Sequence, residues 1–244
     1  MDVKGGEEMK ISIEVANDVK NDNSYFIRWI RKTIMLLNNA SLISPNKDIQ
    51  IQISGKYEAP ETLNIISPAL IKLAIKNTNY WAQIVFQFSH EYCHYLVNSP
   101  LLPQANDEWF EEVICECASR YVLLNLNDDV EAQKYFKGSF KKYALSRNDP
   151  DKEKIFKLNL LDEDSQLLKN LRAEHYSKHS RKYFNHISNI IMPIILENNS
   201  FWQSIPGIAL FNDDNTFIEN LNAWYQESPK SSKPQVAKII KLFK

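Results

Sequence analysis

Polar and apolar residues alternate over Lys10–Ala16 (KISIEVA) and again over Asp48–Ser54 (DIQIQIS), the period-two signature of half-buried strands; Gly55 ends the second. Leu70–Lys76 (LIKLAIK) is short, apolar and bounded by Asn77, which predicts a third strand. Between the first two, Asn23–Leu37 sets Phe26, Ile27, Ile30, Ile34 and Leu37 at helical spacing. Two helices follow over about Tyr80–Val97 and Glu108–Leu124, and Pro100 and Pro103 between them block continuation. From Asn127 the pattern is almost wholly helical: Val130–Ser146, Ser165–Asn198 kinked or broken at Pro193, Thr216–Tyr225 and Lys233–Phe243. Strands mixed with helices, then helices alone, predict an α+β class. Residues 1–126 form the core with a small mixed sheet, and 127–244 form a helical region packed on it, or the two make one compact domain. The charged run Asn148–Lys157 is the expected linker.

Composition narrows the chemistry. Five glycines stand where average usage predicts roughly seventeen, and none are spaced as a phosphate-cradling loop. A net charge of -1 argues against a nucleic-acid partner. The charged start MDVKGGEEMKISIE has no signal-peptide core, and Ile190–Leu196 falls far short of the roughly 20 residues that span a bilayer. Three cysteines (Cys93, Cys115 and Cys117) fit a reducing compartment rather than a disulfide framework. The expectation is a cytoplasmic protein with no membrane partner.

The pentapeptide His90-Glu91-Tyr92-Cys93-His94 lies in the first of the two central helices. Positions i and i+4 share a helix face, so both imidazoles can address one ion, Zn2+. Glu91, about 100° round the helix from His90, can meet a water there without competing as a ligand. The neighbouring Trp81, Ile84, Val85, Phe86 and Phe88 mark a buried helix, which suits a metal site better than two solvated histidines. A third histidine six residues beyond His94 is absent, since Pro100 stands there. The next helix offers Glu108, Glu111, Glu112 and Glu116. Glu112 is the expected third ligand because Glu116, one turn later on the same face, could accept the outer N–H of a ligand histidine. Glu111 is the alternative ligand. Cys93 and Cys115 read as small buried residues that let the two helices approach, with a redox pair as the alternative.

This arrangement resembles the gluzincins, thermolysin-like zinc peptidases with His-Glu-x-x-His on one helix and a glutamate on the next. WFEEVICECAS is also similar to the second ligand helix of compact intracellular members, although Glu116 stands where Asp or Asn is usual. The resemblance spans about residues 48–125. It implies a zincin-like core, a peptide or protein substrate, and Glu91 as general base toward water activated by zinc. It implies that the strand before the active-site helix, here Leu70–Lys76, is an edge that pairs with extended substrate. It further implies an oxyanion donor outside the metal shell; His175, His179 and His186 share one helix face and read first as partly buried, hydrogen-bonded histidines on a packing helix, with His175 or His179 as oxyanion donor the alternative. A zincin-fold binding or regulatory protein that holds zinc without cutting peptides is the competing reading.

Overall fold

The computed structural model describes residues 9–21, 24–43, 45, 47–64, 66–97, 107–146, 157–174 and 180–244. The first half contains β1 (Ile11–Val15), α1 (Tyr25–Ser41), β2 (Ile49–Ser54), β3 (Glu61–Leu63), β4 (Ala69–Ala74), α2 (Trp81–Val97) and α3 (Glu108–Asn127). Helices α4 (Val130–Phe136), α5 (Ser139–Ser146), α6 (Gln166–Glu174), α7 (Arg181–Leu196), α8 (Phe217–Glu227) and α9 (Lys233–Ile240) follow, with a long 3-10 segment at Asn199–Leu210. The class is α+β, one small mixed sheet followed by helices. Among the described residues no helix is long and apolar enough to cross a membrane.

The sheet order is β1-β2-β4-β3, with β3 antiparallel to β4 and the other pairs parallel. Register follows the alternation. Ile49, Ile51 and Ile53 sit opposite Ala69, Ile71 and Leu73, and all six are buried, so one face of the two central strands is a continuous apolar layer. Helix α2 lies against β4 and β3.

The strand predicted over Leu70–Lys76 is not an edge. Its residues Leu70, Ile71 and Lys72 pair with β3 on one side, and β2 covers the other. Beyond the end of β3, the Gln87 side chain from α2 takes the place of a strand: its Oε1 accepts from the Ala74 N–H (2.9 Å) and its Nε2 donates to the Ala74 carbonyl (3.1 Å). The outer edge on the α2 side therefore belongs to β3.

The second half differs from expectation at three places. Val130–Ser146 is two helices, because Lys137 and Gly138 between them take positive φ (28° and 77°), a conformation that favours glycine. Helix α7 runs through Pro193 without breaking there, and of the predicted helix the described residues show α6 and α7, with 175–179 outside them. The 3-10 segment, with its Pro206 and Gly207, answers to no predicted element; its buried residues recur every three positions, at Phe201, Ser204 and Gly207 and at Trp202, Ile205 and Ile208. Residues 148–156 of the expected linker lie outside the described residues.

The helical half grips the start of α3. Asp107, 1% exposed, accepts from Arg172 Nε (2.9 Å), Arg172 Nη2 (3.3 Å), Asn220 Nδ2 (2.8 Å) and Trp109 Nε1 (3.3 Å). Arg172 also binds Glu163, which in turn accepts the backbone N–H of Phe217 (2.5 Å). The buried Phe110 ring lies among Phe211, Phe217, Trp224 and Phe243 at centroid distances of 5.6–6.0 Å. One contiguous cluster of buried apolar side chains thus runs from the sheet to α9.

Candidate metal centre

Helix α2 is fixed from several sides. Tyr92 Oη donates to Asn38 Oδ1 (2.7 Å) and Tyr95 Oη to the Lys47 carbonyl (2.8 Å). Ser119 of α3 donates to the Phe86 carbonyl of α2 (2.8 Å). Buried Cys93, Cys115, Ala118 and Ser119 are small enough to allow this close crossing. The two helices are thereby held in register, and their charged side chains meet at one end of the crossing.

There His90 and His94 stand with ring centroids 5.0 Å apart and planes at 66°. The Glu112 carboxylate spans both rings: Oε2 lies 3.1 Å from His90 Nε2 and Oε1 lies 3.3 Å from His94 Nε2. All three donor atoms lie within 4.8 Å of one another. A tetrahedral zinc with bonds of about 2.0–2.1 Å requires ligand atoms roughly 3.3–3.4 Å apart; imidazole nitrogens and a carboxylate oxygen are the donors such an ion takes, and the set is near enough together to hold a metal ion. Three protein ligands leave a tetrahedral ion one further position for water or substrate.

The carboxylate that holds the outer nitrogen of a histidine is Glu111, not Glu116. Glu111 Oε1 lies 2.7 Å from His94 Nδ1. With Nδ1–H donated there, Nε2 is the nitrogen that a metal would take in place of its proton. Glu116 is instead paired with Arg120, whose Nε and Nη2 lie 3.3 and 3.2 Å from its Oε1. Arg120 also reaches Asn185 and Asn189 on α7.

A second group of donors, His94, Glu111 and Cys115, is also close enough for an ion. It shares His94 with the first. Burial pushes the Cys115 thiol well above its ordinary pKa, and the neighbouring Cys93 adds to this, so the thiolate that binds metal is disfavoured. The two-histidine, one-glutamate set is the better metal site.

Charges inside the set act on one another. Burial raises the Glu112 pKa, but the positive charge of His94 and the hydrogen bonds from His90 and His94 outweigh it and hold the carboxyl well below the usual range. Burial depresses both imidazoles, yet Glu112 raises His90, and Glu112 with Glu111 raises His94 far more. Glu91 behaves differently. It is 4% exposed, and burial lifts its carboxyl above the ordinary value against the pull of His90 and His94.

Two of the expected residues, His175 and His179, lie outside the described residues; His186 is on α7. Sequence reasoning missed Thr62 on β3, whose Oγ1 lies 2.9 Å from both Glu91 Oε2 and the Glu91 carbonyl. No signal marks it, because a three-residue strand shows no period. No protein-family model, curated protein or solved structure matches this chain.

Proposed function

We propose that the protein is a zinc-dependent hydrolase of gluzincin type that cleaves peptide bonds, with His90, His94 and Glu112 as ligands. The observation that carries this reading is the placement of Glu91: a buried carboxylate beside a three-donor set that it does not join. A structural site has no use for such a group, whereas hydrolysis needs a base there. When bound, zinc supplies a Lewis acid that polarises a carbonyl and lowers the pKa of water toward about 7.

The chain's own residues supply the rest. Glu111 fixes the tautomer of His94. Glu91 takes a proton from water and returns it to the departing amine, a role helped by a carboxyl whose pKa is raised toward the working range. An extended peptide adding to the outer edge of β3 would run beside the site, because Thr62 of that strand reaches Glu91. The three cysteines are free and buried, which supports a reducing compartment such as the cytoplasm.

The test compares wild type with Glu91→Gln after loading with one equivalent of zinc. Both should bind the metal, and cleavage of a peptide library should fall about 10²–10⁴-fold in the variant. Equal cleavage by both would remove Glu91 from the chemistry, and none by the zinc-loaded wild type would leave a metal-binding protein without peptidase activity.

A further inference from the structure

The base proposed above is held by a strand as well as by its own helix. Thr62 Oγ1 lies 2.9 Å from Glu91 Oε2 and 2.9 Å from the Glu91 carbonyl oxygen. A hydroxyl carries one proton, and a carboxylate is a stronger acceptor than a main-chain carbonyl. The O–H therefore donates chiefly to Oε2, with the carbonyl as its second acceptor. One turn earlier on α2, Gln87 binds Ala74 on β4; beyond Glu91, the His94 carbonyl accepts from Asn64 Nδ2 (3.1 Å) just past β3. These contacts tie successive turns of α2 to the sheet margin. Only the central one engages a group that the proposed chemistry uses.

We propose that Thr62 is a positioning residue for Glu91: its hydroxyl commits Oε2, leaves Oε1 as the oxygen that exchanges a proton with water, and couples the base to the edge strand. A freely rotating glutamate side chain loses rotamer entropy whenever it adopts one working geometry. A threonine on a strand restricts it beforehand, since its own χ1 is stiff. Pairing of an extended peptide with β3 would reach the base through the same residue. This role builds on the hydrolase reading for its kinetic consequence alone; its geometric consequence stands without it.

Thr62→Val keeps shape and strand preference and removes the hydroxyl, while Thr62→Ser keeps the hydroxyl. Each is purified, loaded with one equivalent of zinc, crystallised beside wild type and assayed on a cleaved peptide. The valine variant should bind zinc with unchanged stoichiometry and affinity, and its Glu91 carboxylate should leave the wild-type position or split between rotamers. Its kcat should fall about 10–100-fold with KM unchanged. Serine should restore both the position and kcat. A single, unmoved Glu91 in the valine crystals overturns the proposal, as does a serine variant that behaves like valine. A merely structural tie would lower Tm and leave kcat alone, which also overturns it. If zinc-loaded wild type cleaves nothing, the hydrolase reading fails, and the position of Glu91 in the crystals still decides the role of Thr62.

Discussion

Glu111 and Glu112 are neighbours in sequence and do different work, because adjacent residues point about 100° apart on a helix. Glu112 faces both Nε2 atoms, whereas Glu111 reaches round to Nδ1 of His94. The pairing of His90 with His94 was legible from helical spacing, since the angle between positions i and i+4 is set by the backbone; Glu112, on the next helix, is preferred to Glu111 in the sequence for its spacing to Glu116, and that reason fails. The residue behind the histidine was not legible. One-turn spacing places Glu116 on the right face, but Arg120, a further turn on, takes its carboxylate. Competition between partners is invisible to periodicity. Glu111→Gln should therefore weaken zinc binding about 10–100-fold in a titration against a chromophoric chelator. Glu116→Gln should leave zinc affinity unchanged, and equal weakening by both would refute the assignment.

At the scale of elements, β2 was legible because alternation over six residues leaves one register that buries its three isoleucines, and β4 because it is a short apolar run with a stop signal after it. The strand β3 is half that length and follows Pro60, so nothing marked it, and the sheet edge was assigned one strand too far in. The grip on α3 was hidden for another reason: Asp107, Glu163, Arg172 and Asn220 lie far apart along the chain. Arg172→Met would strand the buried Asp107 carboxylate with weaker neutral donors, which should cost about 3 kcal/mol. The same cluster has an acid signature. Burial opposes the charge of Glu163, but its bonds from Arg172 and the Phe217 N–H outweigh burial and hold its folded pKa below the ordinary 4.5. Its contribution is whole above that ordinary value and is lost as pH falls through the lower folded one. Thermal melts against pH should show this loss in wild type and much less of it in Arg172→Met. An equal acid slope in both would place the acid-labile groups elsewhere.

For the molecule as a whole, the site is built by the first half and held by the second. All four proposed metal and base residues come from α2 and α3, yet α3 is buried on the side away from α2 by elements that follow it. Trp109 lies 4.8 Å from Phe217, and Tyr121 lies 5.0 Å from Trp202. Phe110 packs against four aromatic rings from residues beyond 210, besides that of its neighbour Trp109. Arg120 finds two of its partners on α7. Exposing a large buried apolar side chain costs about 1.5–3 kcal/mol, and a domain has only about 5–15 kcal/mol of stability in all. Baring Trp109, Phe110 and Tyr121 together, with a buried arginine half-stripped of partners, consumes most of that margin. A fragment of residues 1–126 should accordingly show no cooperative melt and no stoichiometric zinc, although it contains every proposed ligand. Circular dichroism melts and metal analysis of the fragment beside the full chain check this. A cooperative transition with one bound zinc would instead make the helical half an accessory to a self-sufficient core, and would shift the role of Asp107 and Phe110 from folding the site to adjusting it.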